Sequence, residues 1–278
     1  MAPKDLVVFL ETGQGVSERL AYAAALAKRW QAHLIATFVT QPLALNPHAG
    51  FAIGDGLSDM LAEYRVRTGI ALAQTRAEFD QLTAQRSFTA EWRESDNETG
   101  ETLMLHARHA SLAILGPPAV QNNETTMLGL SERMIFASGR PCLLVPTHWS
   151  PECLPSRIVV GWNGGREATR AIADAMPFLV AAKAVHLIVA SDARTQALYG
   201  KDPGTDMAAH LARQGVPVLL EQCPGDDAGA VLLDRCAAID TDLLVMGAMG
   251  RPRISEFVFG GATRTVLARA RVPLLLSH

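Results

Sequence analysis

The amino-acid sequence predicts an α/β protein made of two tandem copies of one small parallel-sheet domain. Three observations carry this prediction: an internal repeat near half of the 278 residues, short apolar runs alternating with longer amphipathic stretches, and runs that are apolar throughout rather than at every second residue.

The repeat consists of four blocks. Leu6-Val7-Val8 opens the first half and Ile158-Val159-Val160 the second. His33-Leu34-Ile35-Ala36 recurs as His186-Leu187-Ile188-Val189. Ser111-Leu112-Ala113-Ile114-Leu115-Gly116 matches Asp242-Leu243-Leu244-Val245-Met246-Gly247, and Arg140-Pro141-Cys142-Leu143-Leu144-Val145 matches Val272-Pro273-Leu274-Leu275-Leu276-Ser277. Their common order and spacing mark a duplication. Domains are expected at 1–148 and 156–278, parted where Pro151 and Pro155 interrupt both patterns.

In the second copy the apolar runs at 157–162, 185–190, 216–222, 241–246 and 272–277 read as strands buried on both faces. Ala168, Ala171, Ile172, Ala175 and Leu179 recur at helical spacing within 164–182, with Asn163 as the expected N-cap. Further helices are expected at about 203–215, 225–238 and 262–270. Strand–helix alternation implies a parallel sheet with right-handed crossovers. The first copy follows the same plan, with a loop over 41–56, one long helix over 57–85 and a strand near 87–93. Pro141–Val145 and Pro273–Leu276 are equivalent apolar terminal strands. Exposed edges of that kind invite pairing, so the halves are expected to pack on each other.

Composition excludes several classes. With 49% apolar and 19% charged residues and a net charge of −3, the chain is neither disordered nor a basic nucleic-acid binder. No apolar run approaches the roughly 20 residues that span a bilayer, and no signal peptide is read at the start. Cys142, Cys153, Cys223 and Cys236 lack metal-ligand or disulfide spacing and read as reduced cytosolic thiols.

The chemistry concentrates after the fourth run of the second copy. Gly247-Ala248-Met249-Gly250 is followed, nine residues on, by Gly260-Gly261-Ala262-Thr263 and a helix. Gly247 permits a sharp turn out of the strand, Gly250 and Gly260 let backbone approach a ligand, and amides opening a helix attract an anion. Thr263 adds a hydroxyl, and Arg251, Arg253 and Arg264 add positive charge. Such a loop lies at the carboxyl edge of a parallel sheet.

This spacing resembles the G-2x-G-9x-G-[S/T] signature of the universal stress protein family, and both copies are similar to that domain over nearly their full length. The resemblance implies two five-stranded domains of strand order 3-2-1-4-5, packed through their last strands as an internal pseudo-dimer. It also implies ATP, with Mg2+ accompanying it, as the ligand of many members. Residue by residue, it makes Gly247, Gly250, Gly260 and Gly261, with Ala262 and Thr263, the phosphate loop. It sets Gly161, Asn163 and the Ala190 backbone against the base. Asn163 stands where ATP-binding members usually carry Asp, and Gly261 where they carry Ser or Thr. Asn still offers an acceptor and a donor.

The first copy has lost more of the signature. Gly116 runs into Pro117-Pro118-Ala119, which removes amide donors, and only Gly129-Leu130-Ser131 keeps the loop's end. Glu11 or Thr12 occupies the base position, and Glu124 adds a carboxylate. This half is expected to be nucleotide-free.

Other patterns carry less. Gly13-Gln14-Gly15 lacks the third glycine of a dinucleotide fingerprint. His106 and His109 share an expected helix and have Glu98 and Glu101 nearby, but solvated histidines account for them. His33 and His186 repeat at equivalent strand positions, implying a shared packing role. Tyr199–Asp206 reads as a crossover loop over the ligand, and Asp226 and Asp227 are the nearest acids. Asp240 and Asp242 fall at the opposite edge of the sheet. No catalytic constellation emerges.

The sequence thus points to a cytoplasmic stress-response module that binds one adenine nucleotide and an unidentified protein partner, with neither nucleic acid nor membrane. Further dimerisation stays open. The alternatives are a nucleotide-free interaction scaffold and, third, a slow ATPase or an enzyme acting on an adenylated substrate.

Overall fold

A computed structural model of the chain describes residues 2–40, 56–84, 87–96, 100–118, 129–150, 154–191, 204–248, 250–253 and 256–278. Most of the 41–56 loop, Glu98, Ala119, Glu124, Cys153 and residues 199–203 of the crossover loop lie outside them, as do the side chains of Arg251 and Arg253.

The first half runs β1 (Asp5–Leu10), α1 (Val16–Trp30), β2 (His33–Thr40), α2 (Gly56–Thr83), β3 (Ala90–Asp96), α3 (Gly100–Arg108), β4 (Leu112–Leu115), α4 (Leu130–Ala137) and β5 (Cys142–Leu144). The second runs β6 (Arg157–Gly161), α5 (Arg166–Leu179), β7 (Ala184–Ser191), α6 (Thr205–Arg213), β8 (Val218–Pro224), α7 (Ala228–Ala238), β9 (Leu243–Gly247), β10 (Gly250–Arg253), β11 (Glu256–Phe259), α8 (Gly261–Arg269) and β12 (Leu274–Ser277).

Ten strands form one sheet in the order β3-β2-β1-β4-β5-β12-β9-β6-β7-β8. Numbered within its own half, each side reads 3-2-1-4-5. Neighbours are parallel except at the centre, where β5 and β12 pair antiparallel with Leu274 opposite Leu144, Leu275 opposite Leu143 and Leu276 opposite Cys142. The two apolar terminal strands therefore complete each other's edges. The outer edges, β3 and β8, carry charge instead, which discourages further pairing there.

Helices cover both faces, which is why the strands are apolar throughout. On one face Leu6, Val8, Leu143, Ile158, Val160 and Leu275 pack with α1, α2, α5 and α6. On the other, Val7, Phe9, Cys142, Val159, Leu244 and Leu276 pack with α3, α4, α7 and α8. Each core runs unbroken across the central β5–β12 seam. Trp30 of α1 meets Phe178 of α5 edge-on at 4.8 Å, adding a second contact between halves. Among the described residues, Cys142, Cys223 and Cys236 are free thiols, and burial pushes Cys142 and Cys236 up to about 12. No helix among the described residues is long and apolar enough to cross a membrane.

Four expectations need correction. α5 starts at Arg166 with Gly165 as its N-cap, not at Gly164 capped by Asn163. Gly164 takes φ +69°, outside the helical region, and the Asn163 side chain instead turns back to accept from the Gly165 amide at 2.9 Å. His109 lies beyond the end of α3, so it does not share a helix with His106. The strand expected near 87–93 is β3 at 90–96, shifted because its register to β2 begins with Ala90 opposite Leu34. Finally, the nine residues between Gly250 and Gly260 are not a plain loop: β10 and β11 form an antiparallel hairpin with Gly250 opposite Phe259.

His33 and His186 do have equivalent surroundings. His33 Nδ1 is 2.9 Å from Thr89 Oγ1 and its Nε2 3.7 Å from Glu91. His186 Nδ1 is 2.6 Å from Glu221 Oε1, and Arg235 holds the other oxygen of that carboxylate. Both histidines thus tie an edge strand to its neighbour.

Candidate functional site

Parallel strands whose following helices leave toward opposite faces open a crevice at their carboxyl ends. In the second half this happens between β6 and β9. The crevice is a cleft of about 620 Å³, counting its open mouth. Gly161, Trp162 and Asn163 enter it from the end of β6, Ile188 and Ala190 from β7, Met246 and Gly247 from β9, and Ala262 from α8. Gly225, Asp226, Ala228 and Leu232 close the side formed by β8 and α7.

Five of the residues singled out from sequence therefore line one cleft: Gly161, Asn163, Ala190, Gly247 and Ala262. Gly260 and Gly261 stand at the mouth end of α8 as its N-cap and first residue. Gly250 starts the hairpin whose register returns the chain beside Phe259, next to Gly260, so residues nine apart in sequence sit one strand spacing apart. Thr263 is 2% exposed and faces the core side of α8.

The glycines do different work. A Cβ on Gly247 would fall 2.5 Å from the backbone of Glu167 and Ala168, so its bareness admits the first turn of α5. One on Gly161 would fall 2.8 Å from Leu232, again a packing constraint. One on Gly261 would meet nothing within 4 Å among the described residues.

α8 is the electrostatic feature of the cleft. It has no side-chain cap and no acid in its first turn, which leaves its opening amides directed outward with the positive end of the helix dipole. Its position is set by α7. A Cβ on Gly229 would lie 2.6 Å from the Ala262 carbonyl, so the two helices cross in near contact. Asp227, the N-cap of α7, accepts from the Gly229 and Ala230 amides at 2.9 and 3.2 Å and from the Thr265 hydroxyl at 3.1 Å. Asp227 is thereby committed to structure, whereas Asp226 is exposed at the cleft rim. Asp242 sits at the opposite edge, accepting from the Ser156 and Arg157 amides at 3.1 and 2.8 Å.

The first half builds the same crevice between β1 and β4 and lines it differently. It measures about 490 Å³ with its mouth and is lined by Glu11, Arg19, Gly116, Pro117 and Ser131 among others. Arg19 is only 5% exposed, and its guanidinium lies against Gly116, at the position where Gly247 meets backbone in the second half. Burial pulls its pKa down, and the charges of Glu11 and Glu18 pull it back up. Ser131 donates to the Gly116 carbonyl at 3.0 Å. At the third position of α4, where α8 has Thr263, stands Glu132, 4% exposed and folded back toward the helix opening over Gly129. Burial raises its pKa, while the Glu132 and Gly129 backbone amides and the Arg133 charge lower it.

Sequence reasoning missed the walls contributed by Trp162, Leu232 and Met246, and the two buried charged residues of the first half, Arg19 and Glu132.

No curated protein matches this chain in sequence. A model of the Universal stress protein family matches residues 155–278. Among solved structures, a universal stress protein from Archaeoglobus fulgidus DSM 4304 superposes with a TM-score of 0.70 at 16% identity, covering 98% of this chain and 97% of that one. A putative universal stress protein from Pseudomonas aeruginosa UCBPP-PA14 gives 0.65 at 16% identity, covering 99% and 93%. At these identities the likeness establishes the fold along the whole chain. Residues 155–278, which carry the glycine loop and the open cleft, belong to the universal stress protein family.

Proposed function

We propose that the chain comprises two universal-stress-type domains, 1–148 and 156–278, and that it binds one adenine nucleotide, ATP with Mg2+ on its phosphates, in the second. The observation that carries this reading is the opening of α8: it is free of acid in its first turn, and a Cβ on Gly261 would meet nothing within 4 Å among the described residues, while its counterpart α4 carries the buried Glu132 there. Phosphate would rest on Gly250 and the Gly260–Thr263 amides. The base would lie between Gly161, Asn163 and the Ala190 backbone, with the Trp162 and Met246 walls supplying apolar contact. In this reading the protein is a cytoplasmic stress-response module that senses nucleotide, with a protein partner still to be found. The Asn163 carbonyl already serves the Gly165 amide, leaving its NH2 to meet a base. That commitment is the observation favouring the second reading, a nucleotide-free interaction scaffold.

Calorimetric titration with ATP and Mg2+ decides between them. One site per chain is expected, with stabilisation of about 2.7 kcal/mol at a hundredfold excess over Kd. Gly250→Val, which puts a branched side chain where phosphate approaches backbone, should abolish binding while the protein stays folded. Two equivalent sites would refute the nucleotide-free first half. Absence of heat and of thermal shift at millimolar ATP would favour the scaffold.

A further inference from the structure

Both ends of the 247–261 loop are held by a contact that crosses between the halves. Phe136, in α4 of the first half, stacks on Phe259 with ring centroids 4.4 Å apart and planes at 29°. Phe259 ends β11 and immediately precedes Gly260. The same Phe136 ring receives His278 edge-on at 5.4 Å and 84°. His278 Nδ1 in turn donates to the Ala248 carbonyl at 2.8 Å, and the Ala248 amide donates to Ser277 at 2.8 Å. One ring of the first half therefore touches the far end of the loop directly and its near end through a single imidazole. Counting from the helix N-caps, the residue of α8 equivalent to Phe136 is Leu267, so this stack belongs to the second-half loop alone.

From this geometry we infer that the first half sets the affinity of the second-half cleft, with Phe136 as a positioning residue for the phosphate loop. The inference rests on the nucleotide reading above. Gly250 and Gly260 form a phosphate cradle only while the two ends of the hairpin stay in register, and an apolar ring pair supplies the fixed point that glycines lack. Phe136 touches no ligand. Its effect is carried by pre-organisation, which lowers the cost of ordering the loop on binding. A half read as nucleotide-free would thereby retain a role in binding.

The test is a double-mutant cycle on the full chain, read by ATP calorimetry and by hydrogen exchange at two bonded amides, Ala248 and Arg264, one at each end of the loop. Phe136→Ala and Phe259→Ala are each expected to weaken ATP by about threefold to tenfold, the worth of an aromatic pair, and the double variant no further than the weaker single. Both amides should exchange faster in Phe136→Ala. Phe136→Leu, which keeps apolar bulk without the ring face, should fall between, and it takes the place of the alanine variant if that one does not fold. Wild-type affinity in Phe136→Ala, or losses that multiply fully in the double variant, would overturn the inference. If the wild-type protein takes up no ATP, the nucleotide reading fails separately. The exchange rates then still decide whether Phe136 holds the loop: faster exchange sustains it and unchanged exchange overturns it.

Discussion

Glycines at successive turns of one motif serve unrelated ends, and single substitutions separate them. At Gly247 the space for a Cβ is taken by the backbone of Glu167 and Ala168 at 2.5 Å, and backbone at a helix start cannot step aside as a side chain tip can. Gly247→Ala should therefore cost about 1–3 kcal/mol of stability in denaturant unfolding, the usual range for overpacking. At Gly261 nothing lies within 4 Å. Gly261→Ser should leave stability within about 0.5 kcal/mol and tighten ATP binding, because it restores a hydroxyl where the family's loop carries one. Equal stability losses in the two variants would show that the loop is packed rather than open. A looser ATP complex in Gly261→Ser would place the phosphate elsewhere.

At the scale of elements, α4 and α8 are equivalent helices that differ in charge at their opening. Neither has a side-chain cap, but α4 carries the buried Glu132 in its first turn, folded back over Gly129, where α8 has Thr263. Burial raises the pKa of that carboxyl above its ordinary 4.5, the backbone and Arg133 opposing only in part. The folded protein thus holds the proton more tightly than the unfolded chain does, and stability is lost as pH rises from about 4.5 through the raised folded value. Glu132→Gln keeps the shape but has no charge to desolvate. It should stabilise the protein relative to wild type at pH 7 and lose that advantage at pH 4, as measured by urea unfolding at both values. A pH-independent difference would mean that Glu132 ionises as freely as a surface acid. The hairpin β10–β11 also belongs to this scale, since its register, Gly250 opposite Phe259, gives the nine-residue spacing of the glycines a structural meaning.

Across the whole molecule, the central antiparallel seam turns two sheets into one. Leu143 and Leu275 face each other in register there, both fully buried in a core shared by helices of both halves. Truncating either to alanine should cost about 2–5 kcal/mol, as for any buried leucine. The double variant Leu143→Ala/Leu275→Ala should cost less than the sum of the two by at least about 0.5 kcal/mol, because register partners share contacts. Strict additivity in denaturant unfolding would indicate that the halves meet without packing on each other.

The duplication, most strands of the main sheet and the spacing of the glycine loop were legible in the amino-acid sequence, because each rests on residues close together in the chain; the place of β3 and the β10–β11 hairpin, which depend on pairing, were not. A strand buried on both faces must be apolar at consecutive positions, as Ile158–Val160 and Leu243–Val245 are, and a loop that leaves a strand for a helix near an anion needs residues without Cβ. Cleft walls such as Trp162, Leu232 and Met246 were not legible, since each comes from a different element and converges only when β6, α7 and β9 take their places. The same holds for Arg19 lying on Gly116 and for Phe136 reaching Phe259 across the seam: residues separated by roughly a hundred positions meet because strand order and the antiparallel β5–β12 join bring them together. Sequence alone therefore determined the elements, their repetition and the chemistry of one loop through local periodicity and steric need. Only the tertiary structure decided how each of two equivalent crevices is lined, with Arg19 and Glu11 in one and Trp162, Leu232 and Met246 in the other, because a crevice's lining depends on side chains brought to it by long-range packing.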